Sequence, residues 1–358
     1  MADPGTAYVI FETINDRGLQ LSAADLLKNH IFGLADDRLP EAVEKWQSMS
    51  GALATLPDQD ETTVTYIRHM WISLNSPTRT RQLYEKIKET VKNKQGAIDL
   101  ATQFSNNAPR YAALLTPSHE AWNGFNPTVR KQVDTLANLG MKQLRPLLLS
   151  ALDRFPKAEI PKLLKACVCW SVRCLIAGVP SGTLEGYYGR NAFEIRENKI
   201  PNVRELTKTM LEVVPDDERF SAAVFTARVS QAHLARYYLR ALQQFSDGEK
   251  EPQYVPNDGG EITLEHVMPE HLTTEWKIKP DEHKAFTNRL GNLALLQATP
   301  NSDLGHMSYV AKKKILAKSA FSLTKLAAKC RSWGPNEVAE RQRKLADLAV
   351  NAWPLRHG

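Results

Sequence analysis

The chain has 358 residues, 42% of them hydrophobic and 24% charged, with 46 Lys+Arg against 40 Asp+Glu and a formal net charge of +6. That composition belongs to an ordinary folded protein, which excludes disordered and collagen-like chains, and the length allows two or three domains of roughly 100–200 residues each. The charge is uneven: residues 301–358 hold 11 Lys+Arg and 4 Asp+Glu, a net of +7, which leaves residues 1–300 at −1. A basic segment of this kind is either a solvated helix face or an electrostatic footprint for a polyanion such as nucleic acid. No run approaches the roughly 20 apolar residues of a membrane span. The stretch from Lys165 to Val179 is interrupted by Ser171 and Arg173. A secretory leader pattern is missing, and Cys167, Cys169, Cys174 and Cys330 form neither a disulfide framework nor a zinc spacing. Buried thiols in a reducing cytoplasm are expected.

In chain order, Met1-Ala2-Asp3-Pro4-Gly5 reads as a vector remnant and Tyr8-Val9-Ile10-Phe11 as a buried strand, so a fragment is expected. A turn-rich stretch from Glu12 to Gly18 follows. Ser22 is placed to cap a helix beginning at Ala23, with Asp25 at its third position and Leu26, Leu27, Ile31 and Phe32 as its apolar face. From Pro40 to about Asp247 the pattern is helical, with breaks at Pro57, Pro77, Pro117, Pro127, Pro180 and Pro215. About eight to ten helices are expected there. The segment of Ile160, Leu163, Leu164, Cys167 and Val168, apolar nearly all round, should be central. Residues 246–260 read as a linker. Beyond it come two strand-like runs, Ile262 to Met268 and Leu290 to Leu296, separated by a polar loop. Helical sequence resumes at Tyr309 to Leu316 and continues in further helices to Trp353. The expected organisation is residues 1–36, a helical domain over 37–250, and a C-terminal domain over 251–358.

The chemistry concentrates in that last segment. His266 ends the first strand, Asn292 opens the second, and Asn301 enters the following helix. This is the layout of a ββα-metal nuclease site. Phosphodiester hydrolysis needs a base, and a neutral imidazole titrating near pH 6.5 supplies one. It also needs a hard cation against the developing phosphorane charge; magnesium keeps several waters and asks for one or two oxygen side chains.

Glu265-His266-Val267-Met268-Pro269, Leu290-Gly291-Asn292-Leu293, Asn301-Ser302, Lys318-Ser319-Ala320-Phe321 and Trp333 resemble the DUF1524 family of His-Me finger (HNH-type) nucleases. Phe11-Glu12-Thr13-Ile14-Asn15-Asp16-Arg17-Gly18-Leu19-Gln20-Leu21-Ser22 resembles the closing segment of a DUF262 domain. Together they resemble GmrSD-type, Type IV-like restriction proteins, and Ala235-Arg236-Tyr237-Tyr238-Leu239-Arg240 is the best local echo between them. The resemblance implies a mainly α protein: a helical bundle scaffold, a DUF262 remnant over 1–36 and an HNH-like domain over 251–358. It implies His266 as general base, Asn292 as the residue orienting it, and Asn301 as metal ligand. Glu265 would be a second metal ligand, although adjacent strand residues point to opposite faces. Magnesium or another divalent cation is the implied cofactor. The implied substrate is double-stranded DNA, modified or phage-derived, cut in bacterial defence. The Asp-Gly-Gln-Gln-Arg-type motif of the N-terminal DUF262 half is missing from this chain, so that half is expected to be a separate part of a longer protein.

Simpler roles stand beside these. Asn301 after Pro300 also suits a helix N-cap. Lys312, Lys313, Lys314 and Lys318 are either a solvated face or phosphate contacts. His271, His283 and His306 are expected to be solvated or on the surface, and Trp170 with its neighbouring cysteines to be core. Rival functions are a non-catalytic regulatory fragment that needs its N-terminal NTPase or sensor half, and a nicking or RNA-directed nuclease.

Overall fold

The computed structural model describes residues 23–75, 77–255, 261–297 and 307–356. The strand and turn expected between Tyr8 and Gly18, the cap at Ser22, and Asn301 and His306 lie outside them. The described residues are mainly helical, with one two-stranded sheet. Among them no helix is long and apolar enough to cross a membrane. The chain divides into two compact units, one of residues 1–133, 141–161 and 180–210, the other of residues 134–140, 162–179 and 211–358.

The first unit contains α1 (Ala23–Ala35), α2 (Leu39–Leu53), α3 (Gln59–Leu74), α4 (Thr80–Thr90) and α5 (Lys94–Leu115). α6 (Thr128–Leu139) runs from this unit into the second. α7 (Arg145–Arg154) belongs to the first unit, α8 (Ile160–Ile176) continues into the second, and α9 (Ser181–Arg196) and α10 (Val203–Met210) return to the first. α2 packs along α5, and α7 packs on α9. Prolines 57, 77, 117, 127 and 180 fall between helices or at their first turns, as expected of residues that cannot donate a backbone hydrogen bond. Pro109 is different: it lies inside α5, where long packed faces on both sides outweigh its local cost. Counting to Ser246, eleven α-helices follow Arg38 among the described residues, slightly more than the pattern predicts.

A buried polar cluster sits in the first unit. His69 Nδ1 lies 3.0 Å from the Tyr111 hydroxyl, which also accepts from Arg145 Nη1 at 3.0 Å. Burial first, then the nearby Arg145 charge, pushes His69 down to about 3, so the ring is neutral.

In the second unit, α8 is central as its all-round apolarity predicts. Leu163, Leu164, Ala166, Cys167, Val168, Cys169 and Trp170 have no exposed surface. Burial pushes the thiols of Cys169 and Cys174 up to about 12, so they are inert core groups. Arg173 on the same helix is also fully buried. It donates to the carbonyls of Trp353 and Pro215 and to the Asp217 carboxylate, and lies over the Phe220 ring. That fork ties α8 to α11 (Asp217–Thr226) and to the end of the last helix. α12 (Ala232–Ser246) follows, then β1 (Ile262–His266), α13 (Pro280–Phe286), β2 (Leu293–Gln297), α14 (Tyr309–Leu316), α15 (Ser322–Ala328) and α16 (Pro335–Ala352). Compact packing therefore groups α11 and α12 with the C-terminal elements, ahead of the division expected at 250/251.

β1 and β2 pair antiparallel, with Glu265 opposite Ala294 and His266 opposite Leu293. Both strands are shorter than the apolar runs suggest. β1 ends at His266, and Leu290–Asn292 is a 3-10 turn instead of strand. The reason is Asn292, whose side chain turns inward to satisfy groups beyond the end of β1. Val267, Met268, Ala294, Leu296, Tyr309, Leu316, Trp333 and Val338 form the core beneath this hairpin.

Candidate active site

The Leu-Gly-Asn-Leu turn is built from the inside. Asn292 is fully buried. Its Oδ1 accepts from Met268 N at 2.8 Å and Trp333 Nε1 at 3.0 Å; its Nδ2 donates to Met268 O at 2.9 Å and Thr287 O at 2.8 Å. All four hydrogen-bonding capacities of the amide are thus filled. Asn292 O also accepts from Val267 N at 3.0 Å. Asn292 therefore holds the two residues that follow His266 by their backbone; it does not bond the imidazole.

Gly291 is required by close approach. A Cβ there would collide with the Val338 carbonyl oxygen and come within 2.8 Å of Gln342 Cβ. α16 fills the space instead with polar side chains. Gln342 accepts from Gly291 N at 3.1 Å and donates to the carbonyls of Val224 and Ala227. Arg341 Nη1 donates to Gly291 O and Leu293 O, both at 2.7 Å. Burial pushes the Arg341 guanidinium down to about 10, so it remains charged at neutral pH. Neither residue is marked by the sequence: both read as ordinary polar positions of a long helix.

His266 sits at the end of β1 with its side chain 21% exposed. Its Nε2 lies 3.3 Å from Asn288 Oδ1 and 3.8 Å from Glu270 Oε1. Among the described residues nothing bonds its Nδ1. Asn288 is itself anchored, since its carbonyl accepts from Val229 N at 2.8 Å beside an antiparallel bridge between Arg228 and Arg289. His283, expected to be solvated, is half-buried and meets Pro269 O through Nε2 at 2.7 Å. It steadies the turn between His266 and Glu270. His271 is exposed as expected.

Glu265 faces the other way, as strand alternation requires. Its Oε1 accepts from Lys312 Nζ at 2.6 Å, and the same ammonium donates to His266 O at 2.7 Å. Lys312 is 1% exposed. The expectation of Lys312 as a phosphate contact is therefore corrected. It lies on the buried face of α14 with Tyr309 and Leu316, at spacings of three and seven, and its charge is absorbed by Glu265. Lys313 is half-buried and donates to Cys330 O at 2.7 Å. Lys314 and Lys318 are exposed.

Among the described residues, no group of three His, Cys, Asp or Glu side chains is placed to hold a metal ion. Glu265 keeps its second carboxylate oxygen free of partners among those residues, and magnesium asks for only one or two protein oxygens, so the donor chemistry on this strand suits a hard cation.

The hairpin thus presents an imidazole held at Nε2, with Nδ1 unbonded among the described residues; the Glu265 carboxylate lies on the other side of β1, paired with Lys312, and Lys314 on α14 and Lys318 just beyond it are exposed. Comparison with known proteins bears on the segment that holds this hairpin. Residues 214–348 match the family model described as GmrSD restriction endonucleases, C-terminal domain. The matched segment lies inside the second unit and contains every residue named in this subsection. No curated protein matches the chain.

Proposed function

We propose that the C-terminal part of the second unit, residues 251–358, is a metal-dependent DNA endonuclease of the ββα, HNH-like type, working in bacterial restriction of modified or phage DNA. The carrying observation is the His266 imidazole, partly exposed at the end of β1 with Nδ1 unbonded among the described residues, inside the segment that matches the model of a restriction-endonuclease domain. In this reading Nδ1 takes a proton from water as the water oxygen bonds to phosphorus. The P–O3′ bond breaks, and the leaving oxygen takes a proton from solvent. Asn292 keeps the backbone beyond His266 in place and so orients the base indirectly. A divalent cation, magnesium by donor type, would be held by Glu265 and Asn301 and would supply charge neutralisation to the phosphorane and leaving oxygen. Lys314 and Lys318 are the residues assigned to the DNA backbone.

The wider organisation belongs to the same proposal: a DUF262-like segment over 1–36, a helical domain over 37–250, a nuclease domain over 251–358, a DUF262 half supplied by a longer protein, and a cytoplasmic setting. The test is plasmid cleavage with magnesium, comparing the protein with His266→Ala. Cleavage lost in the variant with its thermal unfolding unchanged is the expected result. Equal cutting by both would remove His266 from the mechanism. A second reading, an inert regulatory form, is favoured by one observation: the Lys312 ammonium already occupies one oxygen of Glu265. Failure of this chain to cut under conditions where a longer protein carrying it does cut would select that reading.

A further inference from the structure

We infer that Asn288 is the positioning residue that sets the tautomer of His266, leaving Nδ1 as the basic nitrogen. The inference rests on the nuclease reading for its kinetic consequence but not for its structural content. A neutral imidazole carries one N–H and one lone pair, and the partner of one nitrogen decides which is which. The partner here is an amide oxygen, Asn288 Oδ1, 3.3 Å from Nε2. An oxygen acceptor places the proton on Nε2 and leaves the lone pair on Nδ1. Glu270 Oε1, 3.8 Å from the same Nε2, places a second oxygen on that side of the ring. This is the logic by which an acceptor behind a catalytic histidine fixes its tautomer.

The position of Asn288 is built, not incidental. Its carbonyl accepts from Val229 N at 2.8 Å, and the adjacent Arg289 pairs with Arg228. Gln342 holds both this neighbouring segment, through Ala227 O, and the following turn, through Gly291 N. Asn292 has no capacity left for the imidazole, because all four of its hydrogen bonds go elsewhere. The two asparagines thus act on different parts of one residue's surroundings. Asn292 holds the backbone beyond His266, and Asn288 holds its ring.

The direct test is long-range proton–nitrogen correlation NMR on the full chain labelled with 15N-histidine, at a pH above the usual imidazole range. His266→Ala identifies the His266 signals. The expected pattern is an Nε2–H tautomer in the unaltered protein and a mixture of tautomers in Asn288→Ala. An Nδ1–H tautomer in the unaltered protein, or a pattern unmoved by Asn288→Ala, would overturn the inference. For DNA cleavage, Asn288→Ala should lower kcat by tenfold or more on the order expected for a misplaced general base, with KM unchanged. Asn288→Asp, which keeps an oxygen acceptor, should recover much of that loss. A raised KM with kcat intact would also overturn it. If the unaltered protein cuts no DNA, the nuclease reading fails, and the tautomer pattern still decides the role of Asn288.

Discussion

Lys312 Nζ bridges the Glu265 carboxylate, at 2.6 Å, and the His266 carbonyl, at 2.7 Å, from beneath the hairpin. One buried ammonium thereby neutralises one residue of the Glu-His pair and fixes the main chain of the other. A buried charge whose partner is removed costs far more than a surface pair ever contributes. Lys312→Met should therefore destabilise the fold by roughly 3–5 kcal/mol, while the double variant Lys312→Met, Glu265→Leu should recover most of it. Urea unfolding of the unaltered protein, Lys312→Met and the double variant measures both. A loss below about 1 kcal/mol in the single variant, the size of an exposed pair, would mean that the ammonium is hydrated.

Asn292→Ala would strand the buried Met268 N–H and the Trp333 indole N–H together with two carbonyls. At about 1–3 kcal/mol per unsatisfied group, the expected loss is on the order of 3 kcal/mol or more. Asn292→Asp should fare little better, because a carboxylate oxygen would face the carbonyls of Met268 and Thr287 where the amide now donates. Near-native unfolding of the Asp variant would contradict the bonding pattern. Gly291→Ala probes the same turn by volume. Overpacking typically costs about 1–3 kcal/mol, and the upper end is expected because the collision is with α16 backbone.

His69 predicts an acid-labile first unit. Its folded value of about 3 lies below the usual imidazole value near 6.5, so in the intervening window the unfolded chain binds a proton that the folded chain does not. Stability is thus fully present above the unfolded value and lost as pH falls from about 6.5 toward 3, by at most about 1.4 kcal/mol per pH unit from this residue. His69→Gln, which keeps a polar partner for Tyr111, should flatten the dependence of the urea midpoint on pH in that window. Superimposable slopes would show that other groups carry the acid sensitivity.

The lysine run separates by burial into two behaviours. Lys314→Gln and Lys318→Gln should each lower the log–log salt slope of DNA binding by about 0.9 for a duplex phosphate contact, with little change in stability. Lys312→Met should leave the slope unchanged in whatever fraction remains folded, since its ammonium is under the hairpin. Fluorescence anisotropy with a short duplex across a salt series distinguishes them. A slope untouched by the two exposed variants would return those lysines to plain solvation.

By itself the sequence determined the helical character of most of the chain, the buried cysteine-rich helix, the hairpin near Ile262 and Leu293, and the residues worth watching. Periodicity and proline breaks are local signals, and Glu265-His266 and Leu-Gly-Asn-Leu are contiguous motifs, so both survive in one dimension. Tertiary structure alone decided what those residues touch. Lys312 is trapped because Tyr309, Lys312 and Leu316 share one helix face; a run of three lysines hides that fact, since successive helical residues point about 100° apart. Arg341 and Gln342 brace a turn 50 and 51 residues away, and such long-range pairing has no local pattern. The same holds at His266. Two asparagines four positions apart flank a single turn, and only packing decided that the buried one holds the backbone and the half-buried one meets the imidazole.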